Sequence, residues 1–481
     1  MAYQETTTIG YGTRLKNSFG GIATGFLMFV AGTCLIWWNE GRAVKTDKML
    51  KEAEKVAVHV DNIDNLDASL EGQLIHANGM ALTTDTLRDE AFGVKANAIH
   101  MQRRVEYYQW VEHAKQETKD KMGGKQEVVT TYTYSKQWVS QPVNSSTFKD
   151  PSYQNVKNGA VIQTENASLT AENVTFGAYT LPAFMVNSIG GMQAAEVAPT
   201  EQQLRDWDQQ ISRVQRQFGR ATVTDEMTSK IAHEATAAVG NVTEKAIAAI
   251  TGDSTLTAEQ KAIAIDSIRR DSIAMATKTE PAKVGNYTST YVHVGNGKLY
   301  FGLNEGSPEV GDVRITFTMT PPTKISLMGV VQGNTFTNYT AKNGKKFSAV
   351  SNGVKSMEEM FASEHQANNI WLWALRLVGL LLIISGLKGI FNILVTILKV
   401  VPFLSSILSF GINIICSVVG FVWALLVAAI AWLFYRPVIG IALLAIAGAV
   451  IFFFWKKGKD KNAGTPAAPI PNQPMQPQNP Q

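Results

Sequence analysis

Nineteen consecutive residues from Gly20 to Trp38 carry no charge, the length a helix needs to cross a hydrocarbon layer of ~30 Å. Three further apolar runs follow at about 370–395, 403–434 and 438–455. In lipid each run must satisfy its own backbone hydrogen bonds, so four membrane-spanning helices are expected. Between the first run and the second lies a polar stretch of some 330 residues, 39–369. The chain therefore reads as a multipass α-helical membrane protein with a large extracytoplasmic α+β domain, and mean composition hides that division. Arg14 and Lys16 precede the first run as they would precede a signal peptide, but Asn39-Glu40-Gly41-Arg42 is a poor cleavage site. A retained anchor is expected.

Lys456, Lys457, Lys459 and Lys461 follow the last run, Lys388 and Lys399 lie around the link between the second and third, and Arg14 and Lys16 precede the first. All fall on one side of a four-span chain, and cation-rich ends face the cytoplasm. Residues 1–19 and the Pro- and Gln-rich tail 456–481 are thus expected in the cytoplasm, the tail without fixed structure. The 39–369 domain falls on the other side.

Within that domain the flanks read as strands. Val128–Val139 and Val105–Val111 alternate aromatic and β-branched residues with polar ones, and Asn296-Gly297 and Gln332-Gly333-Asn334 interrupt two further β-rich runs as hairpin turns do. A mainly antiparallel β-domain follows. From about 198 to 283 the composition shifts to helix formers, and Leu204, Trp207, Ile211, Val214 and Phe218 recur at steps of three and four. This predicts a helical insertion whose stripe faces a core, with a second helix opening on the Thr257 and Gln260 capping box.

Signs of chemistry are sparse. With 44 basic and 40 acidic residues and no basic stripe, no nucleic-acid partner is expected. Cys34 and Cys416, the only cysteines, both lie in apolar runs, so no disulfide framework or thiolate metal site is expected. Seven histidines show no metal-ligand spacing, and neither a nucleophile elbow nor a phosphate-binding loop occurs. No catalytic residue, metal or cofactor is therefore assigned. Candidate contacts to lipid or a partner are Arg103, Arg104 and Glu106, set among aromatics, although an ordinary strand with a solvated face is the favoured reading of them. Asn392, Asn413 and Arg376 lie inside spans, where polar groups are costly; the two asparagines are expected to bond between helices. Gly20, Gly21 and Gly25 suit close helix packing.

The most distinctive stretch is Ile36–Thr46, in which Trp37 and Trp38 end the first run and Asn39, Glu40, Gly41 and Arg42 follow at once. These four form a candidate structural joint at the membrane, with Gly41 allowing a change of direction that Glu40 and Arg42 lock. Gly41→Val is expected to be worse than loss of either charge.

NEGRAVKT at 39–46 is not alone. EGQLIHANG at 71–79, FGVKANAIHMQRRVEYYQWVE at 92–112, YTYSKQWVSQPVNSSTF at 132–148, PEVGDVRITF at 308–317 and AWLFYRPV at 431–438 together resemble the transmembrane protein 43 family, also called LUMA. The resemblance implies one span, a large domain and three more spans, in a protein that self-associates and organises membrane complexes. In animals that family occupies the endoplasmic reticulum and inner nuclear membrane. The 198–283 insertion and the tail depart from it, which points to a bacterial or divergent member in a cytoplasmic membrane with a periplasmic domain. Partners would be membrane lipids, further copies and other membrane proteins. The function expected is a noncatalytic scaffold. The alternative is a lipid- or glycolipid-handling protein with a polar chamber lined by Glu40, Arg42, Arg104, Glu106, Asn392 and Asn413, which requires those six to converge.

Overall fold

The computed structural model describes residues 3–156, 158–217, 280–437 and 441. The chain divides into a β-rich unit of residues 1–14, 49–366 and 398–402, and a helical unit of 15–48, 367–397 and 403 onward. Among the described residues, three helices are long and apolar enough to cross a membrane: α1 (Tyr11–Val56), α3 (Met357–Leu398) and α4 (Pro402–Tyr435, its apolar part from Ile407). The expected fourth span, about 438–455, and the tail lie outside the described residues apart from Ile441. The helix α2 (Glu201–Gln217) belongs to the β-rich unit.

In the helical unit α1 and α3 run antiparallel, because contacts step in opposite directions along them. Ser18 Oγ donates to Thr396 Oγ1 at 2.9 Å, while Gly25 meets Gly386 and Gly389 and Gly32 meets Gly379. Apolar side chains gain nothing by leaving lipid for each other, so helices in a bilayer associate where small residues let backbones touch. A Cβ on Gly25 would stand 2.7 Å from Gly386 O, and one on Gly32 2.8 Å from Gly379 O. The expected packing role of Gly21 and Gly25 thus extends along both helices. α4 completes the bundle: Gly420 lies against Ile384, Trp423 Nε1 donates to Thr33 Oγ1 at 3.1 Å, and Ile36, Ile383, Ala424 and Val427 bury one another.

The β-rich unit contains a nine-stranded and a seven-stranded sheet. The turns expected at 296–297 and 333–334 are present, with Gly297 at φ 67° and Gly333 at φ 61°, the left-handed region where glycine carries no Cβ penalty. Leu204 and Ile211 of α2 are fully buried against Phe301, Phe317 and Val292, with Trp207 and Val214 at the margin, so the apolar stripe is a core face. Phe218 and the helix expected from Thr257 lie outside the described residues. The insertion ends sooner than expected, since strand Glu280–Val284 pairs with Tyr287–Gly295. A separate cluster joins Met49, Leu50 and Ala53 of α1 to Met360 and Phe361 of α3, with Leu74, Met328 and Phe347 from the sheet.

Three strands of the larger sheet form an arm. β1 (Tyr3–Ile9), β2 (His100–Asp120) and β3 (Gln126–Val139) pair antiparallel in the order β1, β3, β2. β2 pairs with Val313–Thr320 only as far as Tyr107, then continues with β3 alone to Asp120, a reach of ~43 Å at ~3.3 Å per residue. β1 adds seven pairs to β3, from Tyr3↔Tyr132 to Ile9↔Gln126. Residues 1–19 were expected to stand apart from the domain. Instead Tyr3–Ile9 is a strand of its sheet, which a short Thr-rich edge strand does not reveal before its partner is known.

The glycine contact yields a prediction. Gly386→Val would place a Cβ 2.5 Å from Phe29 N and 2.6 Å from Gly25 O, and overpacking of this kind costs ~1–3 kcal/mol. Thermal unfolding of the detergent-solubilised protein should begin earlier, whereas Gly411→Ala, with open space around its Cβ, should leave it unchanged.

Candidate functional site

An ionisable side chain within an apolar bundle is held only where a partner offsets its lost hydration. α1 places Asn39, Glu40 and Arg42 just past Trp37 and Trp38, and the antiparallel register brings Asn368, Leu372 and Arg376 of α3 against them. Glu40 is 1% exposed and its Oε1 accepts from Arg376 Nε at 2.6 Å. The Arg376 guanidinium also stacks over Trp373, 4.7 Å from the ring centre. Asn39, fully buried, donates from Nδ2 to Leu372 O at 2.9 Å and accepts at Oδ1 from Arg42 Nε at 3.2 Å. Arg42 Nη1 donates to Asn368 Oδ1 at 3.2 Å, and Asn368 Nδ2 donates back to Ala43 O at 3.0 Å. These bonds form one polar ladder that fixes the axial register of α1 against α3.

Gly41 works differently from expectation. α1 runs without interruption from Tyr11 to Val56, so the chain does not change direction there. A Cβ at Gly41 would stand 2.5 Å from Cζ and 2.7 Å from the hydroxyl of Tyr435. The glycine admits the last aromatic residue of α4, and Trp37 lines the same corner 5.4 Å from Phe434 and 6.2 Å from Tyr435 by ring centres. The joint is a close-packed corner of three helices.

The other sequence candidates take part in different contacts. Arg103 bonds both carboxylate oxygens of Asp89 at 2.7 Å and donates to Glu165 O at 2.9 Å. Glu106 accepts from Arg314 Nε at 2.6 Å across the strand pair. Arg104 is exposed on β2 opposite Thr316. The three are strand residues, two of them in ion pairs with neighbouring elements. Asn392 and Asn413 are exposed on α3 and α4, where their backbone carbonyls accept from Thr396 and Ser417 of their own helices. No bond between helices involves either side chain among the described residues. Asn392 lies sixteen residues beyond Arg376 on one helix, ~24 Å at ~1.5 Å per residue, so Glu40, Arg376 and Asn392 cannot line one chamber.

Sequence spacing missed Asn368, Tyr435 and a histidine pair. Asn368 and Tyr435 take their roles from partners more than 320 residues away, which no local pattern signals. In the β-rich unit His59 Nδ1 and His76 Nδ1 lie 2.8 Å apart, and His76 Nε2 donates to Lys355 O at 3.1 Å. His76 then accepts from His59. Burial, and secondarily the neighbouring His59, push the pKa of His76 below the ordinary histidine range. No group of three or more His, Cys, Asp or Glu among the described residues is placed to hold a metal ion.

Three predictions arise here. Glu40→Ala leaves Arg376 without its counter-charge and should cost roughly 3 kcal/mol, and adding Arg376→Met should recover most of that, since removing both charges removes the uncompensated one. Gly41→Val should cost ~1–3 kcal/mol, which reverses the order expected from sequence because Glu40 is buried and paired. Unfolding midpoints of the four proteins in detergent measure both. For His76, the folded state disfavours the charged form, so its stabilisation is intact above about pH 6.5 and is lost as pH falls through the lowered folded-state value. The unfolding midpoint should drop as pH falls below about 6.5, less steeply in His76→Gln.

Comparison with known proteins gives a consistent picture. A family model described as transmembrane protein 43 matches residues 107–241 and 226–437. The chain is 26% identical to mouse (Mus musculus) transmembrane protein 43 over 440 residues, covering 89% of this chain and 88% of the relative. It is 24% identical to the human (Homo sapiens) protein over 450 residues, 91% and 90%. It is 26% identical to the Drosophila melanogaster homologue over 435 residues, 88% and 91%. No solved structure matches.

Proposed function

The chain belongs to the transmembrane protein 43 family, and from that premise we propose that it is a noncatalytic scaffold that self-associates and organises other components of its membrane. That it is an integral membrane protein follows from its family and its apolar helices. The observation that carries the proposal is the polar ladder. Its groups, the buried Asn39, Glu40 and Asn368 and the half-buried Arg42 and Arg376, bond one another and the neighbouring helix backbone and set helix register. A site for substrate would instead aim such groups into a cavity. The six residues a lipid-handling chamber would need are split between a strand ion pair, an exposed strand position, the ladder and exposed helix positions. A bundle with a fixed register presents a constant surface to neighbours, which suits assembly.

Crosslinking in native membranes followed by mass spectrometry tests the reading. Crosslinks between identical residues of separate copies, together with a reproducible set of membrane neighbours, are expected. A protein recovered only as a monomer, with no neighbours, would overturn it.

A further inference from the structure

A charge within a span is held where another group answers it, as Arg376 answers Glu40. Lys388 of α3 has no such answer. It is half-buried and lies ten residues before Leu398, the last residue of the helix. Its depth follows from the register with α1. A Cβ on Gly25 would meet Gly386 O, Gly389 C and Ile390 N, so Lys388 is level with Gly25, five residues inside the apolar run that opens at Gly20. Along 15–48 and 367–459 the only carboxylates are Glu40 and Asp47. Glu40 is fifteen residues from Gly25 along α1, ~22 Å at ~1.5 Å per residue, and is taken by Arg376; Asp47 is farther still. Among the described residues Lys388 makes no ion pair or hydrogen bond. Its flexible stem lets the ammonium reach toward the edge of the run, where lipid headgroups begin.

Two amides stand at that edge. Asn392 follows Lys388 by four residues, on the same face of α3. A Cβ on Gly420 of α4 would stand 2.7 Å from Ile384 Cγ1, and Lys388 lies within electrostatic range of the buried Cys416. Contacts thus run forward along α3 and backward along α4, and the next step in this register brings Asn392 level with Asn413. Both amide side chains are exposed and unbonded among the described residues. A cation with two amide donors, in a bundle end that holds no carboxylate, is a donor set for phosphate: the ammonium offsets its charge and N–H groups bond its oxygens.

We propose that Lys388, Asn392 and Asn413 bind the phosphate of an anionic phospholipid where α3 and α4 pass one another at the edge of the apolar layer. The bound lipid supplies the counter-charge that the bundle lacks. The site is independent of whether the protein is a scaffold, and of which side of the membrane this end of the bundle faces. It depends on α3 and α4 crossing the bilayer.

The test uses the full chain, delipidated in a neutral detergent, with phosphatidylglycerol or phosphatidylcholine added back. Native mass spectrometry should find phosphatidylglycerol retained at collision energies that strip phosphatidylcholine, and phosphatidylglycerol should raise the unfolding midpoint more. Lys388→Gln should lower that retention several-fold and remove most of the difference in midpoint. Without lipid, its midpoint should equal or exceed that of the parent, because an unanswered charge is gone. Lys388→Arg should keep the preference, and Asn392→Ala with Asn413→Ala should weaken it while Lys388 remains. Lys16→Gln, which removes an exposed cation of α1, should change nothing. Equal retention of the two lipids by the parent would overturn the proposal, as would full retention in Lys388→Gln or an equal loss in Lys16→Gln. A lipid-free Lys388→Gln protein that is less stable, or that fails to fold, would reveal a partner within the chain and also overturn it. So would a rise in midpoint reproduced by inorganic phosphate with phosphatidylcholine.

Discussion

The distance at which α1 and α3 can approach governs the helical unit. In lipid, two apolar helices have little reason to associate unless their backbones touch, and here glycines at 25, 32, 379, 386 and 389 remove the side chains that would hold them apart. That proximity makes the polar ladder possible. Glu40 and Arg376 meet at 2.6 Å because the helices are already close, and their ion pair then opposes any slip along the axis. Packing supplies contact without direction, and the ladder supplies direction at one register.

The β-rich unit meets a different constraint. Strands must pair or expose their edges, and the long β2 strand outruns the sheet that contains its first half. It is covered by a hairpin partner on one side, and β1, brought from the extreme N-terminus, covers the far edge of that partner. Asn158 covers part of the free edge of β2, its Oδ1 accepting from Trp110 N and its Nδ2 donating to Trp110 O. The same unit contains the end of α1 and the start of α3, where Met49, Leu50, Met360 and Phe361 share one core.

The readings that held were those with a local physical signature. Hydrophobic length exposed the three described apolar helices, Asn-Gly turns and alternation exposed the hairpins, and a three-and-four repeat exposed the face of α2. The readings that changed depended on partners. Gly41 looked like a hinge because glycine breaks helices in water, yet it lies within an unbroken helix and accommodates a tyrosine from nearly 400 residues away. Asn392 and Asn413 looked like bonds between helices because lipid penalises polar groups, yet neither side chain bonds another helix among the described residues. β1 gave no readable signal, since Thr-rich alternation over seven residues is common in loops.

The sequence by itself determined that this chain crosses a membrane, that a large β-rich domain separates its first span from the rest, and that Asn39 to Arg42 mark a special place. Each follows from local free energies: transfer of apolar residues to lipid, the preference of branched and aromatic residues for strands, and the cost of charge at a membrane edge. Only the tertiary structure decided what those marked residues do. The role of Glu40 depends on Arg376 and that of Gly41 on Tyr435, and pairings across such separations are fixed by packing that no short window of sequence contains.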